Sequence, residues 1–574
     1  MFIDIEVNNK KVKANRGETI LEALNRNGIK VPTLCRMDGF TPTGACRMCV
    51  VEVEGKSGLI PSCSHPILES IKIKTHSPRV TQARKMLVEL LLSNHPDDCL
   101  YCASNGNCEL QDMAVELNIR ERRISGEKSK SNIDQSNPAI VREPSKCILC
   151  GRCVRVCEEI MDVSTFDFYK RGNNTAIATS MNKDLNFSNC INCGQCILVC
   201  PTGALTEKTN FDIVQQMLNN DDAMVVVQYS PDIAIALSDE LDIRPGRDIN
   251  GILNAVLRRI GFKKVFDTSF ATDIAIYEQS AELADRIIND ENLPMISSCC
   301  PAWIKHMEQT HPDMIDLVST TKSAQQILGT LIKSYYAQME NIAPEKIFSI
   351  SITPCTAKKF EAQREEMTRK GISDVDAVLT TRELIKLIKL YGIDVNSIQE
   401  EMADKPFSTR SSAAKLVSAT GGLAEGILRT LNYHLTGKEL SNLKITKLRG
   451  LKDRKEVQIK IGTQEIGIAA ISGLKEANKI IAEVRDGKSN IHFIEIMACP
   501  GGCINGGGQP FKNDEKTIKG RSKYIYDLDE KEAINVAHKN SKMITLYNEF
   551  LEEPLSEKCI KLLHTNYSKR DVLL

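Results

Sequence analysis

Twenty-one cysteines carry most of the chemistry that this 574-residue sequence could perform. Nearly all lie in tight groups, and only Cys559 stands alone, as a structural or incidental thiol. Disulfides are rare in a reducing compartment, so clustered thiols there are better interpreted as metal ligands or redox groups. The groups are Cys35, Cys46, Cys49 and Cys63; Cys99, Cys102 and Cys108; Cys147, Cys150, Cys153 and Cys157; Cys190, Cys193, Cys196 and Cys200; Cys299 and Cys300; Cys355; and Cys499 and Cys503.

The densest of these signals is the stretch Met497–Gly508, in which Cys499 and Cys503 lie among five glycines. Because glycine has no Cβ, the backbone can closely approach whatever the sulfurs hold. The preceding residues, His492–Met497, are predicted to form a strand that leads into this loop. The pair alone does not separate a disulfide, a zinc knuckle and a metal cluster.

Composition and charge exclude several function classes. The chain has 74 basic and 74 acidic residues, so no global field attracts nucleic acid or a membrane surface. No apolar run approaches the roughly 20 residues that span a bilayer, and the N-terminus lacks the pattern of a signal peptide. We therefore expect a cytoplasmic protein of several domains.

The first 79 residues are predicted to form a small β-rich domain. Ile3, Ile5 and Val7 alternate with polar residues and precede a hairpin turn. Thr19 and Glu22 predict a capping box at the start of a short helix. Four cysteines in such a domain suit a [2Fe–2S] centre, and the arrangement resembles the β-grasp ferredoxin module. Its expected ligands are Cys35, Cys46, Cys49 and Cys63.

A second metal site is predicted within residues 80–125, after a helix over 80–93. Its pattern is His-x3-Cys-x2-Cys-x5-Cys, and a zinc site with one imidazole and three thiolates is one interpretation. Directly after a β-grasp module, however, the pattern resembles the His-ligated [4Fe–4S] site of hydrogenases and of respiratory complex I. The expected ligands are His95, Cys99, Cys102 and Cys108.

Residues 118–145 are polar and charged, and the default expectation is a solvated linker. The alternative is a docking face for an acidic electron carrier. The basic residues are Arg120, Arg122, Arg123, Lys128 and Lys130.

The domain predicted over residues 126–209 contains the most specific pattern in the sequence. Two Cys-x2-Cys-x2-Cys-x3-Cys runs are the signature of the bacterial ferredoxin with two [4Fe–4S] clusters, in which the fourth cysteine of each run binds the other cluster. One cluster is expected to take Cys147, Cys150, Cys153 and Cys200, and the other Cys190, Cys193, Cys196 and Cys157.

From residue 210 to residue 574 the pattern changes to apolar strands alternating with amphipathic helices, which predicts a large α/β domain. Buried parallel strands are expected at Met224–Val227, Pro294–Ile296, Ile347–Ile352 and Phe493–Met497. The last three lead into Cys299 and Cys300, Cys355, and Cys499. Because ligands gather at the carboxyl ends of strands in open α/β sheets, we expect these cysteines to converge on one crevice.

Three motifs at these strand ends resemble those of the [FeFe]-hydrogenases. They are Ser297–Trp303 (SSCCPAW), Thr353–Lys359 (TPCTAKK) and Met497–Gly508. With the modules before them, they resemble the large clostridial-type form with four accessory clusters over essentially the whole chain. The resemblance implies a multidomain α+β fold with a β-grasp [2Fe–2S] domain, a small His/Cys3 cluster domain, a 2[4Fe–4S] ferredoxin-like domain and a two-lobed α/β catalytic domain.

The resemblance also implies the reaction and its cofactors. Two protons and two electrons reversibly give H2 at a six-iron H-cluster, which is fed by one [2Fe–2S] and three accessory [4Fe–4S] clusters. The H-cluster consists of a [4Fe–4S] cube and a two-iron unit with CO, cyanide and a bridging amine-dithiolate, joined to the cube through Cys503. The cube's implied ligands are Cys300, Cys355, Cys499 and Cys503.

Residues around this cofactor also receive roles from the resemblance. Neighbours in an extended segment point to opposite sides, so Cys299 and Cys300 do not easily bind one cube together. In the family Cys299 is the acid–base thiol. Without the resemblance, the default interpretation of Cys299 is a buried apolar filler. Lys358 would be interpreted as a surface lysine, and Met497 as a residue of the hydrophobic core. The implied contacts to the H-cluster include Lys358, Met497, Pro231, Thr353 and Ala357.

The implied proton route beyond Cys299 contains Ser319, Glu282 and Arg286, but one member differs. The family's glutamate is Gln279 here, and an amide does not exchange a proton near neutral pH as a carboxyl does. Glu278 is no ready substitute because one helical step rotates it about 100° away. We expect slower or water-mediated proton transfer.

Two further positions depart from the family pattern. Thr353 replaces a methionine, and Ala357 replaces a serine that donates to a cyanide ligand. Losing that hydrogen bond is worth about 0.5–1.5 kcal/mol, and more when the acceptor is charged. We expect an altered balance between H2 production and uptake.

The partners follow from the same resemblance. The first expectation is a monomeric hydrogenase that exchanges electrons with ferredoxin or a similar acidic carrier and depends on maturation proteins. The alternative is the catalytic subunit of an NAD(P)-linked or electron-bifurcating complex; no flavin or nicotinamide fingerprint appears in this chain. A minor alternative from another class is a non-catalytic H2 sensor or an iron–sulfur electron-transfer subunit. No PAS-like sensory segment is evident after the third motif, and the electron-transfer subunits of complex I lack the three cysteine motifs.

Overall fold

The computed structural model describes residues 2–121, 123–129, 131–244, 247–511 and 514–572. These residues form a mixed α/β multidomain structure in which small sheets and short helices that carry the clustered cysteines precede a larger α/β unit. Within the described ranges, no helix is long and apolar enough to cross a membrane.

The N-terminal domain is a mixed five-stranded sheet with one helix across it. The predicted hairpin forms with Val7 opposite Lys10. The helix Ile20–Arg26 begins with the predicted capping box: Glu22 N–H donates to Thr19 Oγ1 (3.3 Å), and Thr19 N–H donates to Glu22 Oε2 (2.9 Å). In sheet order, the strands are Lys10–Asn15, Phe2–Val7, Lys72–Lys74, Val50–Val53 and Ile60–Pro61.

Short elements carry the cysteine runs that follow. Gly151 and Gly194, each at φ 72°, supply the left-handed turns that precede the helices Arg152–Arg155 and Gln195–Val199. The two cysteine runs therefore have the same local geometry. The other elements here are the helices Pro78–Asn94 and Glu109–Glu116 and the antiparallel pairs Ile140–Arg142 with Leu205–Glu207 and Asp167–Tyr169 with Ala176–Ala178.

The expectation of a solvated linker over residues 118–145 is wrong in part, because this segment packs against its neighbours. Glu89 is 3% exposed, and Arg123 neutralises it across 2.6 Å. Lys128 Nζ donates to the carbonyls of Leu92 (2.9 Å) and His95 (2.5 Å). Of the other basic residues, Arg120 is exposed, and Arg122 and Lys130 lie outside the described residues.

Two four-stranded sheets form the centre of the large domain. The four predicted strands all form, but they divide between the sheets. Apolar runs covered on both faces favour this buried parallel arrangement. The first sheet is parallel, in the order Lys264–Asp267, Met224–Tyr229, Ile347–Thr353 and Ala377–Thr380; the second is Met295–Ile296, Phe493–Met497, Gln464–Ser472 and Arg454–Ile461, with its last pair antiparallel.

The 21-residue helix Ser269–Asn289 contacts the apolar cores of both sheets. Near its start, Phe270 and Ile274 pack with Val226 of the first sheet. Further along, Ile276 and Leu283 pack with the core of the second. The other helices of this domain are Phe211–Leu218, Asp232–Glu240, Ile249–Ile260, Pro301–Thr310, Ala324–Leu331, Ala337–Met339, Ala357–Ala362, Thr381–Leu390, Ser412–Leu416, Gly422–Thr436, Leu474–Arg485, Glu515–Lys531, Ser541–Leu546 and Glu557–Leu563.

Candidate active site

The expected convergence of strand ends forms a cavity of about 100 Å³ between the two sheets. The strand Met295–Ile296 leads to Cys299 and Cys300, Ile347–Thr353 to Cys355, and Phe493–Met497 to Cys499. A fourth contribution comes from the 3-10 turn Cys503–Asn505. All five of these thiols line the cavity: Cys299, Cys300, Cys355, Cys499 and Cys503.

Burial dominates the electrostatics of these thiols. It raises the pKa of Cys300, of Cys355 and of Cys503, and it raises that of Cys499 to about 12. Burial also raises the pKa of Cys299, with Glu495 adding to the effect, while Ser297 and Lys358 oppose it. Thiolates in such a site need compensation by bound cations, as an iron–sulfur cluster provides.

The glycine-rich loop reaches the cavity through close backbone contacts. Gly508 N–H donates to the carbonyl of Pro354 at 2.7 Å. A Cβ on Gly506 would lie 2.4 Å from the same oxygen. Gly502, at φ 99°, packs against the backbone of Ala419. The glycines are therefore required where two cysteine loops come together.

The other expected cofactor contacts mostly line the same cavity. Lys358 does so and forms an ion pair with Glu361 at 2.9 Å. Burial alone would lower the pKa of Lys358, but Glu361 and the neighbouring thiols raise it. Ala357 is fully buried in the adjacent apolar core and does not line the cavity. Those that line the cavity are Pro231, Thr353, Lys358 and Met497.

Three of the predicted relay residues form a continuous chain. Ser319 Oγ donates to Glu282 Oε2 at 2.6 Å. Arg286 Nη2 forms an ion pair with Glu282 Oε1 at 2.8 Å. Glu282 and Arg286 also line a surface cleft of about 480 Å³. This chain therefore connects a buried hydroxyl with the surface.

Gln279 lies on the same helix as Glu282, one turn earlier, and is 1% exposed. Neither its Nε2 nor its Oε1 has a hydrogen-bond partner among the described residues. A buried amide without partners is costly, so such groups usually bind an ordered water. Both ends of the Gln279 amide therefore have the hydrogen-bonding capacity to bind a water.

The neighbouring carboxylate, Glu278, is engaged elsewhere. Tyr547 O–H donates to its Oε1 at 2.6 Å, and Leu555 N–H donates to its Oε2 at 3.1 Å. His564 Nε2 lies 3.0 Å from Oε2. These partners follow Glu278 by more than 260 positions, so no local pattern could have predicted them.

The two ferredoxin-type cysteine runs pack around two small cavities. One, of about 30 Å³, and another, of about 20 Å³, are lined by four cysteines each. The sets are those that the spacing predicts, with the fourth cysteines exchanged. They are Cys147, Cys150, Cys153 and Cys200 around the first cavity, and Cys157, Cys190, Cys193 and Cys196 around the second.

The second of these runs also lines the cavity of about 100 Å³ between the two sheets, the large cavity of the site. Cys193 lines both cavities. Gln195 Nε2 donates to the carbonyl of Asn505 at 2.8 Å, and Thr356 Oγ1 donates to the carbonyl of Asn192 at 2.7 Å. The two cavities therefore share a cysteine, and hydrogen bonds from side chains to backbone carbonyls join the loops around them.

The N-terminal cysteines lie in two close pairs. A hydrogen bond from Cys46 lowers the pKa of Cys35 to about 5, and one from Cys49 lowers that of Cys63 to about 7. Arg155, which lies within the first ferredoxin-type run between Cys153 and Cys157, donates to the carbonyls of Cys35 and Thr41, the latter at 2.9 Å. This site therefore adjoins the first run.

The His-containing set lies close to the end of the second ferredoxin-type run, just after Cys200. A Cβ on Gly203 would lie 2.8 Å from Cys102 Sγ. His95 is 8% exposed and its Nδ1 has no partner among the described residues, whereas Cys99 is exposed. Across the described ranges, no three His, Cys, Asp or Glu side chains surround one point as a single metal ion requires. A cluster instead separates its ligands, because each binds a different iron.

One group of cavity-lining residues was missed by the sequence analysis. Ser230 and Asp232 flank Pro231 directly after the strand Met224–Tyr229, and Gln325 joins them from another helix. The strand-end rule that located the cysteines also applies to this strand. Asp232 could therefore have been found.

Comparisons with known families agree along the chain. Residues 223–507 match the C-terminal domain of the iron-only hydrogenase large subunit, and 515–570 match the iron hydrogenase small subunit. Residues 2–78 match a 2Fe-2S iron-sulfur cluster binding domain. Residues 84–123 match the NADH-ubiquinone oxidoreductase-G iron-sulfur binding region, and 137–206 match the ferredoxin-like domain of NADH-quinone oxidoreductase subunit 3.

Individual relatives extend the similarity to full length. The NADP-reducing hydrogenase subunit HndD of Solidesulfovibrio fructosivorans is 40% identical, with all of both chains covered. Iron hydrogenase 1 of Clostridium pasteurianum is 33% identical over 98% of this chain and 100% of its own. The apo [FeFe]-hydrogenase HydA1 structure from Chlamydomonas reinhardtii has 34% identity and a TM-score of 0.56, covering 62% of this chain and 98% of its own.

Proposed function

Because this chain belongs to the iron-only hydrogenases, we propose that it reversibly converts two protons and two electrons into H2 at an H-cluster. The observation that carries the proposal is the set of five thiols that line one cavity, of which Cys300, Cys355, Cys499 and Cys503 would hold the cofactor. The donor set fits: thiols suit iron–sulfur clusters, and burial and backbone contacts fix their positions. The cavity adjoins a second cysteine site that would carry electrons.

When bound, the H-cluster would supply the irons at which H2 is formed or split. The chain's own residues handle the proton. Cys299, a cavity-lining thiol that need not bind the cube, would hold the proton next to the cofactor and exchange it with the solvent route. Ser319, Glu282 and Arg286 would carry it to the surface cleft. Lys358 and Met497 would orient the cofactor and exclude water.

The accessory sites would carry the electrons. We assign one [2Fe–2S] and three [4Fe–4S] clusters to the four accessory ligand sets. Cys193 lines both cavities, and Gln195 Nε2 donates to the carbonyl of Asn505; both contacts support the second ferredoxin-type cluster as the immediate donor to the H-cluster.

Infrared spectroscopy of the anaerobically matured protein tests this function. CO and cyanide stretching bands are expected, and Cys503→Ser should abolish them because this thiol would join the two-iron unit to the cube. Cys559→Ser is the control, since Cys559 packs against Leu551 and Glu553 in another core. Absence of the bands from competent wild-type preparations would refute the proposal.

Gln279→Glu is expected to raise turnover by about tenfold, part of the 10²–10⁴ that a positioned acid–base group contributes. The carboxyl would restore a proton-exchanging group between Cys299 and Ser319. The measurement is H2 production across pH 5–9 with an unlimited electron donor. Gln326→Glu, which buries a carboxyl on another helix, should give no gain. Unchanged turnover at every pH would contradict the idea.

The electron partner has two candidates. Ferredoxin or a similar acidic carrier suits a monomer. The full-length similarity to a subunit of an NADP-reducing hydrogenase favours a multi-subunit NAD(P)-linked enzyme, in which another chain would bind the nicotinamide. Size exclusion of the native protein separates them: co-purifying flavoprotein subunits favour the complex, and a single chain active with reduced ferredoxin favours the monomer. With either electron partner, the protein would depend on hydrogenase maturation proteins and would be located in the cytoplasm.

A further inference from the structure

An imidazole lies at the surface end of the proton route. His564 follows the helix Glu557–Leu563 and lines the cleft of about 480 Å³ that Glu282 and Arg286 also line. Its exposed fraction is 8%, so most of the ring is packed against protein. The C-terminal segment therefore contributes an ionisable side chain to the same cleft as the predicted relay.

Backbone hydrogen bonds hold His564 beside that relay. Thr565 N–H donates to the carbonyl of Thr320 at 2.8 Å, and Lys322 N–H donates to the carbonyl of Leu563 at 2.7 Å. The two bonds flank His564, and the segment to which it pairs begins directly after the serine of the relay. The backbone, and not only a side-chain rotamer, therefore sets the position of the ring.

Both ring nitrogens of His564 have partners. Nε2 lies 3.0 Å from Glu278 Oε2, and Nδ1 lies 2.8 Å from Thr320 Oγ1. Because a carboxylate accepts hydrogen bonds, Glu278 holds a proton on Nε2 and leaves Nδ1 as the nitrogen that can gain one. A carboxylate behind an imidazole also stabilises the imidazolium that forms.

The charged groups around the ring favour a bound proton. Glu278 also accepts from Tyr547 O–H at 2.6 Å and from Leu555 N–H at 3.1 Å, which supports its charged form. Among the described residues of the cleft, carboxylates outnumber cations, and a cleft lined by one sign of charge concentrates ions of the other sign. The charged residues that line the cleft with His564 are Glu282, Asp285, Arg286 and Glu291.

Thr320 connects the ring with the relay. Its N–H donates to Glu282 Oε1 at 3.3 Å, and its hydroxyl contacts His564 Nδ1. All three residues line the cleft, which has room for a water between the carboxyl and the ring. We propose that His564 exchanges protons between Glu282 and the solvent and so forms the outer end of the proton route.

The proposed step moves protons only. In H2 uptake, the O–H bond of the Glu282 carboxyl breaks, a cleft water passes the proton on, and an N–H bond forms at His564 Nδ1. The imidazolium then releases this proton to the solvent. H2 production reverses each transfer, and no electron moves in either direction. This inference rests on the proposed function, and it leaves the inner step at Gln279 unchanged.

The test measures H2/D2O exchange by matured protein, which needs the proton route but no external electron donor. His564→Gln keeps an N–H for Glu278 but removes the ring that gains a proton. Exchange should fall by about tenfold in the Gln279→Glu background, less than the 10²–10⁴ of a group at the reacting centre. The deficit should be smaller in the wild-type chain, where the inner step limits the rate.

His538→Gln is the matched control. His538 is also 8% exposed, and its ring nitrogens also contact a glutamate and a threonine, Glu439 at 3.1 Å and Thr430 at 3.4 Å. It does not line the cleft. Exchange by His538→Gln should therefore stay at the wild-type rate, although the loss of packing and hydrogen bonds should lower its unfolding temperature.

Added bases distinguish proton transfer from a structural role. His564→Ala leaves space for a small ring in the cleft, so imidazole should restore exchange in proportion to its concentration. Pyrazole has a similar ring but is not protonated near neutral pH, so it should restore nothing. Restoration by both compounds, or by neither, would show that the ring only positions its neighbours and would refute the inference.

The remaining outcomes separate this inference from the function on which it rests. Absence of exchange from matured wild type refutes the proposed function itself. Equal exchange by His564→Gln and its parent in both backgrounds refutes the inference alone. If His564→Ala does not fold, His564→Gln decides: exchange that rises with buffer concentration supports the inference, and a deficit that buffer leaves unchanged refutes it.

Discussion

Replacing Cys299 by alanine is expected to lower H2 turnover by about 10²–10⁴-fold, the contribution of one positioned acid–base group. Cys299 lines the cavity beside Cys300 but extends from the chain on the other side, so its loss should spare cluster binding. Among the described residues, Cys299 is the member of the predicted relay that lines the cavity, and the other relay side chains do not. An alanine would leave the proton without a carrier between cofactor and Ser319.

Three measurements define this result. H2 production with a chemical reductant should fall at every pH, and H2/D2O exchange should fall with it, because both need the proton. The CO and cyanide bands should persist. Cys559→Ala is the control: it removes a buried thiol from a core that does not line the cavity, so it should lower stability but keep turnover. Wild-type exchange rates in Cys299→Ala would show that protons reach the cofactor another way.

The parts of the site that the sequence predicts are those specified by local spacing. The left-handed glycines Gly151 and Gly194 each follow the second cysteine of a run, so a seven-residue window contains the geometry of three ligands. The crossing of Cys157 and Cys200 is predictable because it accompanies that spacing. Likewise, an apolar strand that ends in a cysteine predicts the position of a ligand without any knowledge of the sheet order.

The parts that sequence could not supply depend on contacts between distant segments. Met295–Ile296 and Ile347–Thr353 look alike as apolar strands, and only their pairing places them in different sheets. The partners of Glu278 lie near the C-terminus, in a segment with no cysteine pattern. From the sequence alone, Arg123 is interpreted as a solvent-exposed charge. The structure shows that it forms an ion pair with the buried carboxylate of Glu89. The spacing of cluster ligands can be seen in the sequence. The hydrogen-bond and ion-pair partners of a buried polar side chain are set only by the packed structure.

Gly507→Ala is expected to slow electron transfer between the accessory clusters and the H-cluster while proton transfer to the H-cluster continues. An added Cβ would lie 2.0 Å from the carbonyl oxygen of Cys193 and 2.7 Å from Gly194 Cα, and both are backbone atoms that cannot turn aside. The glycine-rich loop within Met497–Gly508 and the loop of the second ferredoxin-type run around Cys193 must then move apart. Such overpacking costs about 1–3 kcal/mol. Electron transfer falls steeply with distance, so H2-driven dye reduction should drop by at least about tenfold.

The variant also tests which steps need the accessory clusters. H2/D2O exchange uses only the H-cluster and the proton route, so it should survive in Gly507→Ala although dye reduction falls; Cys299→Ala should lose both. Gly520→Ala is the control, because nothing lies within 4 Å of its added Cβ and alanine favours a helix by about 1 kcal/mol. If Gly507→Ala reduces dyes at the wild-type rate, electrons enter by a route that bypasses Cys193. The contact between these two loops would then be structural, and the direct connection from accessory cluster to H-cluster would have to be abandoned.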